Sequence, residues 1–100
     1  MSDPLAHHVL AERLADCRAR GERVAVVEIV AGPGTGRRLL VWPAGHTFGD
    51  LGWPRLNQRA ALYAEQLFER GARAPASGSK RFDVPGEGDV EVRFELSMPA

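Results

Sequence analysis

One hundred residues with thirteen basic and thirteen acidic side chains make a chain of one domain's length and zero formal net charge. That balance argues against a general nucleic-acid binder, which needs surplus positive charge to displace counterions. The single cysteine, Cys17, excludes an intrachain disulfide and a cysteine-based zinc framework, and the longest apolar run, Val24 to Val27, is too short to span a bilayer.

Ser2-Asp3-Pro4 reads as a helix start, with a capping side chain and a proline suited to the first turn. The helix runs from Leu5 to Arg20 and stops at Gly21, with Val9, Leu10, Leu14 and Cys17 on its apolar side. Arg23 to Ala31 follows as a strand. It is apolar at Val24, Ala25, Val26, Val27, Ile29 and Val30, so both faces should be covered and its place should be central. Glu28 is the exception. An unpaired buried carboxylate is costly, so it is expected to pair with Arg37 or Arg38 on the next strand.

Gly32-Pro33-Gly34-Thr35-Gly36 is a sharp loop, and Arg37 to Trp42 is the second strand. Pro43-Ala44-Gly45 has hairpin-turn chemistry, and His46 to Phe48 is a short third strand. A loop through Trp53 leads to a second helix, Pro54 to Arg70, ended by Gly71. Leu56, Ala60, Tyr63, Ala64 and Leu67 share its buried face. Arg73 to Ser79 reads as a linker and Lys80 to Val84 as a strand. After the turn Pro85 to Gly88, Asp89 to Leu96 alternates: Val90, Val92, Phe94 and Leu96 point inward, and Glu91, Arg93 and Glu95 outward. The order α-β-β-β-α-β-β predicts an α+β domain over residues 1–100, a mostly antiparallel or mixed sheet packed by two helices.

The most suggestive chemistry lies in Gly34, Thr35 and Gly36 followed by Arg37 and Arg38. Glycines let backbone amides approach an anion, and guanidiniums match phosphate and carboxylate in pairs of hydrogen bonds. No GK[ST] follows, and a strand stands where a nucleotide-binding loop needs a helix, so neither a P-loop nor a dinucleotide fingerprint is present. The start of the second helix is a further place for an anion, with Arg55, Asn57 and Gln58 beside it. If the first and third strands both run antiparallel to the second, the two loops lie at one end of the sheet and form one concave surface. Replacing Arg37 and Arg55 together should then weaken ligand or client binding and leave the melting temperature nearly unchanged. His7, His8 and His46 lack convergent spacing, so no metal site is expected. Cys17 continues an apolar stripe and reads as core. No nucleophile pattern is present, so catalytic residues are not expected.

The leading helix, the strand Val24-Ala25-Val26-Val27-Glu28-Ile29-Val30, the loop Gly32 to Arg38, Leu39-Leu40-Val41, Phe48-Gly49-Asp50-Leu51-Gly52 and the closing Val90-Glu91-Val92-Arg93-Phe94-Glu95 together resemble the N-terminal domain of the XdhC/CoxI family. The resemblance implies an accessory factor, not an enzyme, for molybdenum hydroxylases such as xanthine and carbon monoxide dehydrogenases. Its expected ligand is the molybdenum cofactor (molybdopterin), its partner a molybdenum hydroxylase client, and its location the cytoplasm. It adds Asp50 and Gly52 to Gly34, Thr35, Gly36, Arg37, Arg38 and Arg55 as expected cofactor-binding residues. Trp53-Pro54-Arg55 stands near the place of the family's Gly-Gly-Cys segment, so binding or assembly is implied ahead of thiol chemistry. The competing expectation is an interaction or dimerisation module, a homodimer included, that keeps the fold without the ligand site.

Overall fold

The apolar strand is the middle of the sheet. The computed structural model describes residues 4–71 and 77–97. These form α1 (Pro4–Ala19), β1 (Val24–Ala31), β2 (Arg38–Val41), β3 (Thr47–Gly49), α2 (Pro54–Arg70), β4 (Ser77–Val84) and β5 (Gly88–Ser97). The strands make one antiparallel sheet in the order β3-β2-β1-β5-β4. Short connections after β1, β2 and β4 dictate antiparallel neighbours. β5, last in sequence, fills the gap between β1 and β4.

Strand alternation sends the apolar residues of β1 into two layers. Ala25, Val27 and Ile29 pack with Leu39, Val41, Val92 and Phe94, under Leu56, Ala60, Ala64, Leu67 and Phe68 of α2. Val24 and Val26 face the other way and meet Leu40, Trp42, and Leu10 and Cys17 of α1. That second layer covers the β1-β2-β3 half of the sheet. Beyond it the same face is polar, with Arg93 opposite Glu28 on one side and Ser79 on the other. Val27, Ile29, Leu40 and Val92 are fully buried and Phe94 is 1% exposed, as their inward positions require.

Several sequence expectations change. Val30 is 36% exposed, so β1 is covered on its α1 side only at Val24 and Val26, and β3 runs Thr47–Gly49 and does not include His46. Val9 is 42% exposed and does not join the α1 stripe, because α1 turns Leu10 and Cys17 toward the sheet. β4 begins at Ser77, not Lys80. Its Ser-Gly-Ser stretch has little intrinsic strand preference but pairs with the long β5, Ser77 with Glu95 and Ser79 with Arg93. Residues 72–76 of the expected linker, and the Ser2-Asp3 cap, lie outside the described residues. β2 begins at Arg38 and ends at Val41, since Arg37 closes the preceding turn and Trp42 opens the next, its carbonyl accepting from Gly45 N–H at 2.8 Å. Glu28 pairs with Arg38, Nε to Oε1 at 3.1 Å, as its place in an apolar strand demands.

Candidate functional site

β1 and β3 both run antiparallel to β2, so the loops leaving them emerge at one end of the sheet. The two loops touch. Gly34 has φ +80°, and a methyl group there would sit 3.2 Å from Trp53 Cζ3 and 3.3 Å from Ile29 Cδ1. Arg37 completes the junction. Its Nη1 donates to the Leu51 carbonyl at 3.4 Å, and its guanidinium carbon lies 5.3 Å from the Trp53 ring centroid. The guanidinium occupies the space a side chain at Gly52 would need, and Gly52 has φ +105°, so only glycine fits there without strain.

The second loop is held by a small polar network. Asp50 Oδ1 accepts from the Gly52 N–H at 2.8 Å and from Asn57 Nδ2 at 2.9 Å, while Asn57 Oδ1 accepts from the Leu51 N–H at 2.8 Å. The Asn57 amide, then the Gly52 N–H and then the nearby Arg37 charge hold the Asp50 carboxyl below its ordinary range. Trp53 makes no capping hydrogen bond at the start of α2, and Pro54 takes the first turn, where its missing N–H costs nothing.

The glycine loop is differently disposed from an open cradle. Thr35 N–H donates to the Gly32 carbonyl at 3.3 Å, Gly36 N–H to Ile29 at 2.8 Å, and Arg37 N–H to Gly34 at 3.0 Å. The Thr35 hydroxyl also donates to Gly32, at 2.6 Å. Three amides expected to face an anion therefore close the turn. Arg38 does not converge with Arg37, because adjacent strand residues point to opposite faces. It lies with Glu28 on the face that carries α1. The structure thus brings Gly34, Arg37, Asp50, Gly52 and the Trp53-Pro54-Arg55 lead-in together, and leaves Arg38 apart. Arg55 is exposed in the first turn of α2. No described carboxylate lies within ion-pair distance of Arg37 or Arg55. The junction combines the Arg37 guanidinium, the first turn of α2 and the Asp50 carboxylate.

Elsewhere, His8 pairs with Glu12 at 3.0 Å and His46 stacks on Trp42 at 4.6 Å. No group of three or more His, Cys, Asp or Glu among the described residues is placed to hold a metal ion. No helix of the described residues is long and apolar enough to cross a membrane. Arg59 and Lys80 escaped the sequence reading. They flank the edge of the sheet, and only the strand order puts them together.

The fold is that of a small α+β domain whose two loops meet at one end of its antiparallel sheet. The model of the XdhC and CoxI family matches residues 17–81, well over half the chain, and the chain belongs to that family. The match stops within β4, so β5, the neighbour of both β1 and β4, lies beyond it. No curated protein matches the chain.

Proposed function

We propose that this domain serves molybdenum-hydroxylase maturation by holding the anionic end of the molybdenum cofactor at the Arg37 junction and presenting it to a client enzyme. The observation that carries this reading is the Arg37 bridge. One guanidinium joins the glycine loop to the start of α2; it makes no ion pair among the described residues, although its charge reaches the Asp50 carboxylate. The α2 N-terminus and Arg55 add positive potential at the same place. These groups suit a phosphate in charge and in hydrogen-bonding capacity. They offer no sulfur. Cys17 is fully buried on the far face of the sheet, so the chain's own thiol takes no part in the reading. The redox chemistry belongs to the cofactor once it is in the client; the domain's share is to bind, orient and release.

Calorimetric titration of the full chain with purified molybdenum cofactor tests this. Arg55→Glu should weaken binding by roughly tenfold or more, equivalent to about 1.4 kcal/mol, with the melting temperature unchanged. Arg37 is the poorer probe, because its packing makes it part of the fold. Absence of binding heat, or equal affinity in Arg55→Glu, overturns the reading. An apo-client that then binds without cofactor leaves the interaction module standing.

A further inference from the structure

β4 lies at the edge of the sheet and, among the described residues, pairs only with β5. Arg59 reaches across from α2, and its Nη1 donates to the Asp83 carbonyl at 2.9 Å. That places the Asp83 backbone on the open side. Backbone groups alternate along a strand, so Arg81, Ser79 and Ser77 turn their N–H and C=O groups outward as well. Arg59 covers the edge at Asp83; upstream of it the row is open among the described residues.

The side chains on the α2 face of this edge are cationic, whereas on the other face Arg81 is followed by Asp83, with Glu91 and Asp89 opposite them. Lys80 Nζ lies 4.6 Å from the Tyr63 ring centroid and 6.0 Å from that of Phe82, and the Arg59 guanidinium lies 5.1 Å from Phe82. Lys80 stands opposite Val92, so it has no acidic neighbour in register; Glu91 stands opposite Arg81 on the other face. Neither Arg59 nor Lys80 takes part in an ion pair among the described residues. The uncompensated positive charge is therefore confined to the α2 face of the edge. A second copy paired about Lys80 would set like charges together, which disfavours self-pairing in that register.

We propose that β4 from Ser77 to Arg81 accepts an extended acidic segment of another protein as a sixth strand. Main-chain hydrogen bonds to Ser77, Ser79 and Arg81 hold the segment, and acidic side chains at alternate positions meet Lys80 and Arg59 on the α2 face. This surface is separate from the Arg37 junction and does not depend on any cofactor.

The probe is a dye-labelled, ten-residue peptide of alternating Glu and Val, with a Lys and Val peptide as control, titrated against the full chain by fluorescence anisotropy and amide NMR. The Glu-Val peptide should bind, the control should not, and the Ser79 and Arg81 amides should shift and exchange more slowly. Lys80→Glu should weaken binding roughly tenfold. Ser79→Pro removes an outward N–H without touching the β5 ladder, so it should abolish binding while the melting temperature holds. Should that variant fold poorly, Lys80→Glu and the amide map decide alone. The proposal is overturned by absence of binding at millimolar peptide, by shifts confined to Gly34 and Trp53, by equal binding of both peptides, or by dimerisation of the free chain through the same amides.

Discussion

Arg37 lies over the indole of Trp53, 5.3 Å from its ring centroid, and in the same pose donates to the Leu51 carbonyl. One side chain therefore ties the turn after β1 to the approach to α2. Gly34 and Gly52 make the tie sterically feasible, the first by admitting the Trp53 ring and the second by admitting the guanidinium.

Arg37→Ala should destabilise the domain by about 1–2 kcal/mol, the sum expected for a surface cation–π contact and one hydrogen bond. Arg37→Lys should fall between, because an ammonium keeps the charge but lacks the planar face. Urea denaturation of the three proteins checks this. Identical midpoints would mean the bridge contributes nothing in solution.

Phe94→Ala should be far more costly, roughly 3–5 kcal/mol. Phe94 is 1% exposed on β5, edge-on to Tyr63 with centroids 4.8 Å apart and 6.3 Å from Phe82. It joins β1, β4 and α2 through one ring, since Val27 and Gly78 are its partners in register. A loss below about 1 kcal/mol would place the ring outside the core.

Much of this arrangement is legible from residues alone, for definite reasons. Val24 to Ile29 is apolar at every position but Glu28, which fits a strand covered on both faces, and α1 and α2 supply the covers. Glu28 in that run requires a cation nearby, and Arg38 is in register with it. Pro54 and Gly71 mark the ends of α2 by backbone chemistry that needs no tertiary context. The start of β4 is not legible, because Ser77-Gly78-Ser79 becomes strand only through its pairing with β5. Nor is the separation of Arg37 from Arg38, which depends on where the turn ends and β2 begins. The inward amides of Thr35, Gly36 and Arg37 are equally hidden in composition, since a glycine-rich loop has the same residues whether it cradles an anion or closes on itself.

Cys17 should label slowly with a thiol reagent in the native protein and quickly in denaturant. It is 0% exposed on the sheet-facing side of α1. Its carbonyl accepts from the Glu22 N–H at 2.9 Å, which closes the chain around it at the end of the helix. The native labelling rate should track the fraction of molecules open at a given urea concentration. A rate close to that of a free thiol in the absence of urea would put Cys17 at the surface and give sulfur chemistry a route.

Asp50 should make the approach to α2 sensitive to acid. Its folded-state pKa is depressed, chiefly by the Asn57 amide and then by the Gly52 N–H and Arg37. The native state therefore favours the carboxylate more than the unfolded chain does, and the unfolded chain binds the proton first as pH falls. The contribution is fully present above the unfolded value, about 3.9, and is lost as pH drops through the lower folded value. Protonation removes acceptor capacity from the oxygen that both the Gly52 N–H and Asn57 Nδ2 use. Wild type should accordingly be more stable than Asp50→Ala at pH 6, with the difference shrinking below about pH 4. The Trp53 fluorescence should change over the same acid range, since its loop is the one released. Melting curves of both proteins from pH 6 to pH 2.5 check the sign. A difference that stays constant, or grows, with falling pH would mean that Asp50 holds the loop by packing and not through its charge.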